Sequence, residues 1–135
     1  MPEAGEVLGT GIDLVENARM ADALAKWGAR FKDRIFLPAE QAYCEASAQP
    51  ESRYAARFAV KEAVAKALTT GIGRHLSWLD MTVERDDSGA PTVVLSPRAH
   101  AMADARGVAR IHVSIAHTRH HAVASALILG RNPKS

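Results

Sequence analysis

Cysteine is nearly absent. The single one, Cys44, excludes an internal disulfide and offers no thiolate metal cluster, so a reducing compartment is the simplest setting. Aromatic residues make up only 5% of the chain, and none interleaves with a basic run as RNA-binding surfaces require. A net charge of +2 implies no general affinity for nucleic acid. No apolar run approaches the roughly 20 residues that span a bilayer. The opening MPEAGEVLG has neither the basic region nor the apolar stretch of a signal peptide. Linkers, repeats and low-complexity segments are missing as well. One cytoplasmic domain over 1–135 is expected, with 130–135 as a frayed tail. No membrane or nucleic-acid partner is expected.

What is present is a central stretch, Arg53 to Gly73, of unusual texture. Wound at 3.6 residues per turn, its apolar residues go nearly all the way round, and such a helix is normally buried. Arg57, Lys61, Glu62 and Lys66 interrupt it, and buried charge is costly unless paired or put to use. Glu62 and Lys66, four apart, share one face. Gly71 suits a left-handed cap, and Gly73 keeps the following backbone bare.

The flanks read as α+β. Glu6–Ile12 has a strand pattern, followed by a helical one from about Leu14 to Gly28 in which Met20, Ala23, Leu24 and Trp27 should face the core. Gly9-Thr10-Gly11 lacks the third glycine of a dinucleotide fingerprint, so that reading is discarded. A second helix is predicted over Pro38–Ala46, and Ser52 is a plausible cap for the central one. Beyond Gly73 come a hairpin (79–85 and 91–95), a helix (97–106) and two strands (109–116 and 121–129). Helices on a small antiparallel sheet are therefore expected.

Asp13, at a strand end, reads either as an N-cap with Glu16 three residues on, or as half of a carboxylate pair with Glu62. Two carboxylates without a His/Cys cluster suit a hard ion such as Mg²⁺, whose shell is completed by water and phosphate oxygens. Lys66 would be a point charge for one phosphate and Arg57 a planar fork for another. The bare Gly71-Ile72-Gly73 backbone would let a phosphate approach. Together these residues describe a metal-assisted site for a phosphorylated substrate.

Three segments in order, GTGIDLVENAR, RFAVKEAVAKALTTGIG and HVSIAHTRHHAVA, closely resemble the holo-acyl-carrier-protein synthases, the small bacterial class of 4′-phosphopantetheinyl transferases. The likeness runs from about Val7 to Ile128. It implies transfer of the 4′-phosphopantetheine arm of coenzyme A to a serine of apo acyl carrier protein, releasing adenosine 3′,5′-bisphosphate. By that resemblance Asp13 and Glu62 bind Mg²⁺, while Lys66 and Arg57 meet coenzyme A. Gly71, Ile72 and Gly73 border the coenzyme, and His117 matches a histidine near the nucleotide. Glu62 is the first candidate for the base that activates the serine, and Asp13 the second.

Acidic carrier proteins call for a basic docking face, and Arg19, Lys26 and Arg30 supply one. Met20 is either an apolar contact on that face or a core residue. The resemblance also implies a homotrimer with sites between subunits and the last two strands in the assembled region. Two rival readings are a non-catalytic coenzyme A module, which would not need Asp13, Glu62 and Lys66 together, and a small RNA-binding domain.

Overall fold

The computed structural model describes residues 4–69, 71–73 and 75–132. Strand β1 (Ala4–Glu16) leads into helices α1 (Asn17–Ile35), α2 (Pro38–Glu45) and α3 (Pro50–Ala67). A 3-10 turn (Trp78–Asp80) precedes the hairpin β2 (Met81–Arg85) and β3 (Pro91–Leu95). Helix α4 (Pro97–Ala105) then leads to β4 (Val108–His117) and β5 (His121–Arg131). One antiparallel sheet has the order β1-β5-β4, and β2 and β3 form a second. The α+β class, with helices on small antiparallel sheets, is as the sequence predicts.

Helix α3 is the buried centre. Its apolar residues on all sides find partners on all sides: Ala59, Val60, Ala63, Val64 and Ala67 join Ala124, Ala126 and Ile128 of β5 in the main core. Tyr54 and Ala55 join Met20, Ile35 and Phe36 in a second cluster. Burying a Val or Phe side chain of this kind contributes about 1.5–3 kcal/mol. The alanines and two glycines let α3 sit close on β1. A Cβ at Gly9 would press into the Ala67 carbonyl, and one at Gly11 into the Ala63 carbonyl. The glycines of the GTGID segment thus serve helix–strand approach.

Several boundaries differ from the sequence reading. Strand β1 runs on through Glu16, because every residue from Gly9 to Glu16 pairs with β5. Asp13 therefore stands opposite Ala124 inside the sheet, and the capping-box reading is wrong. Cross-strand pairing overrides the local helix signal. Helix α3 begins at Pro50, which fits the first helical position, with Gln49 rather than Ser52 before it. Thr69 (φ 58°) takes the left-handed position next to the helix end, with Gly71 (φ 62°) beyond it.

Trp27 is 52% exposed rather than core, while Met20 is 4% exposed. Spacing fixes the face on which Trp27 lies but not whether the fold covers that part of α1, which kinks directly after it at Gly28 (φ 54°, ψ −132°). The expected fraying from 130 is also corrected. Gly130 is buried and pairs with Val108, and Arg131 pairs with Ala4 and bonds to Asp104. The rest of that tail, 133–135, and Thr70 lie outside the described residues.

Candidate active site

The GID segment and the last turn of α3 meet. Lys66 Nζ lies 3.0 Å from Asp13 Oδ1 and donates to the Ile12 carbonyl at 3.0 Å. Glu62, one turn back on the same face, is half-buried beside them. Burial, and then the charge of Asp13, push the Glu62 carboxyl above its usual range, and Lys66 only partly offsets this. Two carboxylates and one ammonium leave an excess negative charge, which is what a cation would neutralise. Among the described residues no third His, Cys, Asp or Glu joins them. The donor set thus fits a hard ion that takes its remaining ligands from water and phosphate. The Lys66–Asp13 pair is itself exposed on the lysine side, 52% against 16% for Asp13. Such a pair is worth about 0–1 kcal/mol and exchanges partners easily.

Arg57 belongs to a different face. Five residues from Glu62, it emerges about 140° round the helix. It is buried, donates to the Val83 carbonyl, and lies 3.8 Å from Glu40. With His117, Tyr43, Arg53 and Arg85 it lines a cavity of about 280 Å³ between α3, the hairpin and the end of β4. Three guanidiniums surround the Tyr43 ring: Arg53 at 4.1 Å, Arg57 at 4.2 Å and Arg85 at 5.6 Å. Arg85 also donates to the Tyr43 hydroxyl at 2.8 Å. This pocket is rich in planar donors, the chemistry that grips phosphate. Gly71, Ile72 and Gly73 are not part of its lining, and Ile72 packs on the main core.

On α1, Arg19, Lys26 and Arg30 are exposed together, and Lys26 Nζ stands 4.9 Å over the Trp27 ring. Met20 packs inward, so its core reading holds. It also floors a groove of about 400 Å³ that runs from Arg19 past Glu16 to Asp13.

Sequence reasoning missed the pair Glu40 and Lys61, both fully shielded from solvent. Lys61 Nζ donates to Glu40 Oε1 at 2.7 Å, to Ile35 O at 2.6 Å and to Trp78 O at 3.2 Å. A lysine inside an otherwise apolar helix was the available signal. Its partner, in a helix with no apolar stripe of its own, carried none.

Comparison with known proteins places the chain in a family. The family described as the 4′-phosphopantetheinyl transferase superfamily matches residues 9–125. The chain is similar to the holo-[acyl-carrier-protein] synthase of Koribacter versatilis, with 44% identity over 90% of this chain and 98% of that one. That of Anaeromyxobacter dehalogenans is 47% identical over 94% of this chain and 99% of its own length. Among solved structures, the Neisseria meningitidis synthase superposes with a TM-score of 0.86 at 28% identity, covering 91% of this chain and 98% of its own. The Helicobacter pylori synthase, in complex with coenzyme A, gives 0.79 at 32% identity, covering 88% and 98%.

Proposed function

Because the chain belongs to the 4′-phosphopantetheinyl transferase superfamily, we propose that Asp13, Glu62 and Lys66 are the centre at which it performs the family's reaction. The reaction moves the 4′-phosphopantetheine arm of coenzyme A to a serine of apo acyl carrier protein. The serine oxygen forms the new bond to phosphorus, the pyrophosphate bond breaks, and adenosine 3′,5′-bisphosphate leaves. The observation that carries this assignment of roles is the contact of Lys66 with Asp13 beside a half-buried Glu62.

Asp13 and Glu62 would hold a Mg²⁺ ion, which when bound supplies Lewis-acid charge neutralisation on the pyrophosphate oxygens. Lys66, released from Asp13, offsets charge that grows on the leaving phosphate. Glu62 is the first candidate to take the serine proton and Asp13 the second. Arg57 and His117, in the arginine-rich cavity, hold the nucleotide end of coenzyme A, and Gly71 to Gly73 border it. Arg19, Lys26 and Arg30 present positive charge to an acidic carrier, and the groove from Arg19 to Asp13 gives its serine a route to the centre.

A homotrimer is part of the proposal. The face of the β1-β5-β4 sheet turned away from α3 is open and carries exposed apolar side chains beside Thr10, His112, Ser114 and Ser125, with Ile12 and Leu14 each 64% exposed and Leu14 in register with Val123 and Ala116. A trimer that covers this face would also bring a neighbour to the site. No described helix is long and apolar enough to cross a membrane, and the proposed setting is the cytoplasm.

The test is the intact mass of an apo acyl carrier protein after incubation with this protein, coenzyme A and Mg²⁺. A gain of one phosphopantetheine arm, lost with EDTA and with Asp13→Ala, is the expected result. No gain with several carriers, despite coenzyme A binding, would favour the non-catalytic module.

A further inference from the structure

The Glu40 carboxylate lies buried behind the arginine-rich cavity and does not line it. Its Oε1 accepts from Leu37 N–H at 3.0 Å and from Lys61 Nζ at 2.7 Å. Its Oε2 accepts from Val83 N–H at 2.9 Å and lies 3.8 Å from Arg57 Nη1. Every group facing it is a donor. Only an ionised carboxylate, which is acceptor on both oxygens, meets that demand; a glutamine would turn an NH₂ toward one of the donors. Four segments are tied at this point: the α1–α2 turn, α2 itself, α3 and β2.

Helix α3 supplies one of the three donors to Glu40, Lys61, and one turn earlier the Arg57 guanidinium, an ion-pair partner at 3.8 Å. Lys61 is followed directly by Glu62. With Lys61 pinned inward by three acceptors, Glu62 must emerge about 100° further round the helix, on the side where β1 presents Asp13. Arg57, four residues before Lys61, lines the Tyr43 cavity, where it donates to the Val83 carbonyl and has the same carboxylate 3.8 Å away. Glu40 thus contacts α3 at two successive turns.

We propose that Glu40, acting through Lys61 and Arg57, is a positioning residue that holds the carboxylate centre and the arginine-rich cavity in mutual register for transfer. This rests on the roles proposed above for Glu62, Lys66 and Arg57. Burial alone does not require this ion pair, since an apolar pair of similar volume is commonly as stable. A carboxylate retained here does something a leucine would not: it fixes direction as well as filling space.

The deciding variant is therefore the double substitution Glu40→Leu with Lys61→Met, which removes this carboxylate and ammonium together, keeps the volume and leaves Arg57 in place. Its unfolding midpoint should fall, because the Leu37 and Val83 N–H groups and the Ile35 and Trp78 carbonyls lose their partners and Arg57 its counter-ion. Assayed well below that midpoint, kcat should fall by about 10–100-fold, as for other residues that orient ligating side chains. KM for coenzyme A should rise, because Arg57 loses its guide, and KM for the carrier should stay unchanged. A folded double variant with wild-type kcat and KM for coenzyme A would overturn the proposal. If the double variant does not fold, Glu40→Gln decides, assayed well below its own midpoint. A lowered kcat with a raised KM for coenzyme A supports the proposal, and wild-type values for both reject it. Absence of transfer by the wild-type protein would instead remove the reading of the site itself, and this inference with it.

Discussion

Lys66 Nζ and Asp13 Oδ1, 53 residues apart in sequence, stand 3.0 Å from each other across the α3–β1 contact. One ammonium thus serves two carboxylates, because Glu62 shares its face of the helix. Two carboxylates against one ammonium leave a net negative charge, the imbalance on which the proposed Mg²⁺ role rests. Stability and function pull in opposite directions there, and that opposition can be measured.

Glu62→Gln should abolish transfer and yet raise the unfolding midpoint of the metal-free protein at neutral pH. The Glu62 carboxyl is held above its ordinary value of 4.5 by burial and by Asp13. A raised acid means that the charged form costs stability in the fold. That cost is full above the folded pKa and disappears below the unfolded one. The advantage of the variant in EDTA should therefore shrink as pH falls toward 4.5 and vanish beneath it. Thermal melts across that range, with a transfer assay at neutral pH, check both halves. Full activity in the variant would remove Glu62 from the metal and base roles together.

Gly11→Ala tests the close seat of α3 on β1. The new methyl would meet the Ala63 carbonyl and, at 2.9 Å, the Ala67 nitrogen, both of them backbone that has no rotamer to change. Overpacking of this kind costs about 1–3 kcal/mol. Moving α3 outward also separates Lys66 from Asp13, so the rate of transfer should fall along with the urea midpoint. An alanine variant as stable and active as the wild type would show that the contact can yield.

Much of this site was legible before any coordinates. Glu62 and Lys66 could be placed on one face because helical spacing is local, and α3 could be judged buried because its apolar residues leave no polar side. Asp13 was found, but in the wrong local setting. Its capping pattern with Glu16 is a short-range signal, whereas the pairing of Asp13 with Ala124 joins residues at opposite ends of the chain. The same limit hid Glu40, whose meaning lies wholly in Lys61, Val83 and Arg57, brought to it by the fold. Trp27 failed for another reason: periodicity gives the face of a helix and not whether the fold covers that part of it, and here Trp27 is left exposed.

Asp80 anchors the hairpin end of the fold rather than the chemistry. Burial would raise its carboxyl, but hydrogen bonds from Arg98, Ser77 and Ser96 outweigh it and hold the group well below the usual range. Arg98 Nη2 and Ser96 Oγ each donate at 2.7 Å. A depressed acid contributes stability that is present above the unfolded value of 3.8 and is lost as pH falls below it toward the folded value. Asp80→Asn should thus cost about 1.5–3 kcal/mol at neutral pH, and the gap from the wild type should narrow below 3.8. Denaturant melts at neutral and strongly acid pH check this, and a gap that does not change with pH would deny the carboxylate its part.

Arg19→Ala should act on the carrier alone. The side chain is exposed on α1 at the mouth of the groove that leads to Asp13. Loss of one exposed cation weakens encounter with an acidic surface, and more so at low salt. KM for the carrier should rise several-fold while KM for coenzyme A and the melting temperature hold. An unchanged dependence of rate on carrier concentration would take Arg19 out of the docking face.

The open sheet face offers the test of assembly. Ile12 and Leu14 alternate outward along β1 while Gly11, Asp13 and Val15 turn toward α3. A lysine at position 12 or 14 leaves the inward face untouched, and the monomer should fold with its core intact. Across a packed trimer contact the same ammonium would lie buried without a partner, a loss large enough to dissociate the assembly. Ile12→Lys and Leu14→Lys should therefore run as monomers in sedimentation, with wild-type far-ultraviolet circular dichroism. If each site draws on a neighbouring subunit, transfer should fall with assembly and recover as protein concentration is raised. A monomeric variant with full activity at every concentration would confine the whole site to one chain.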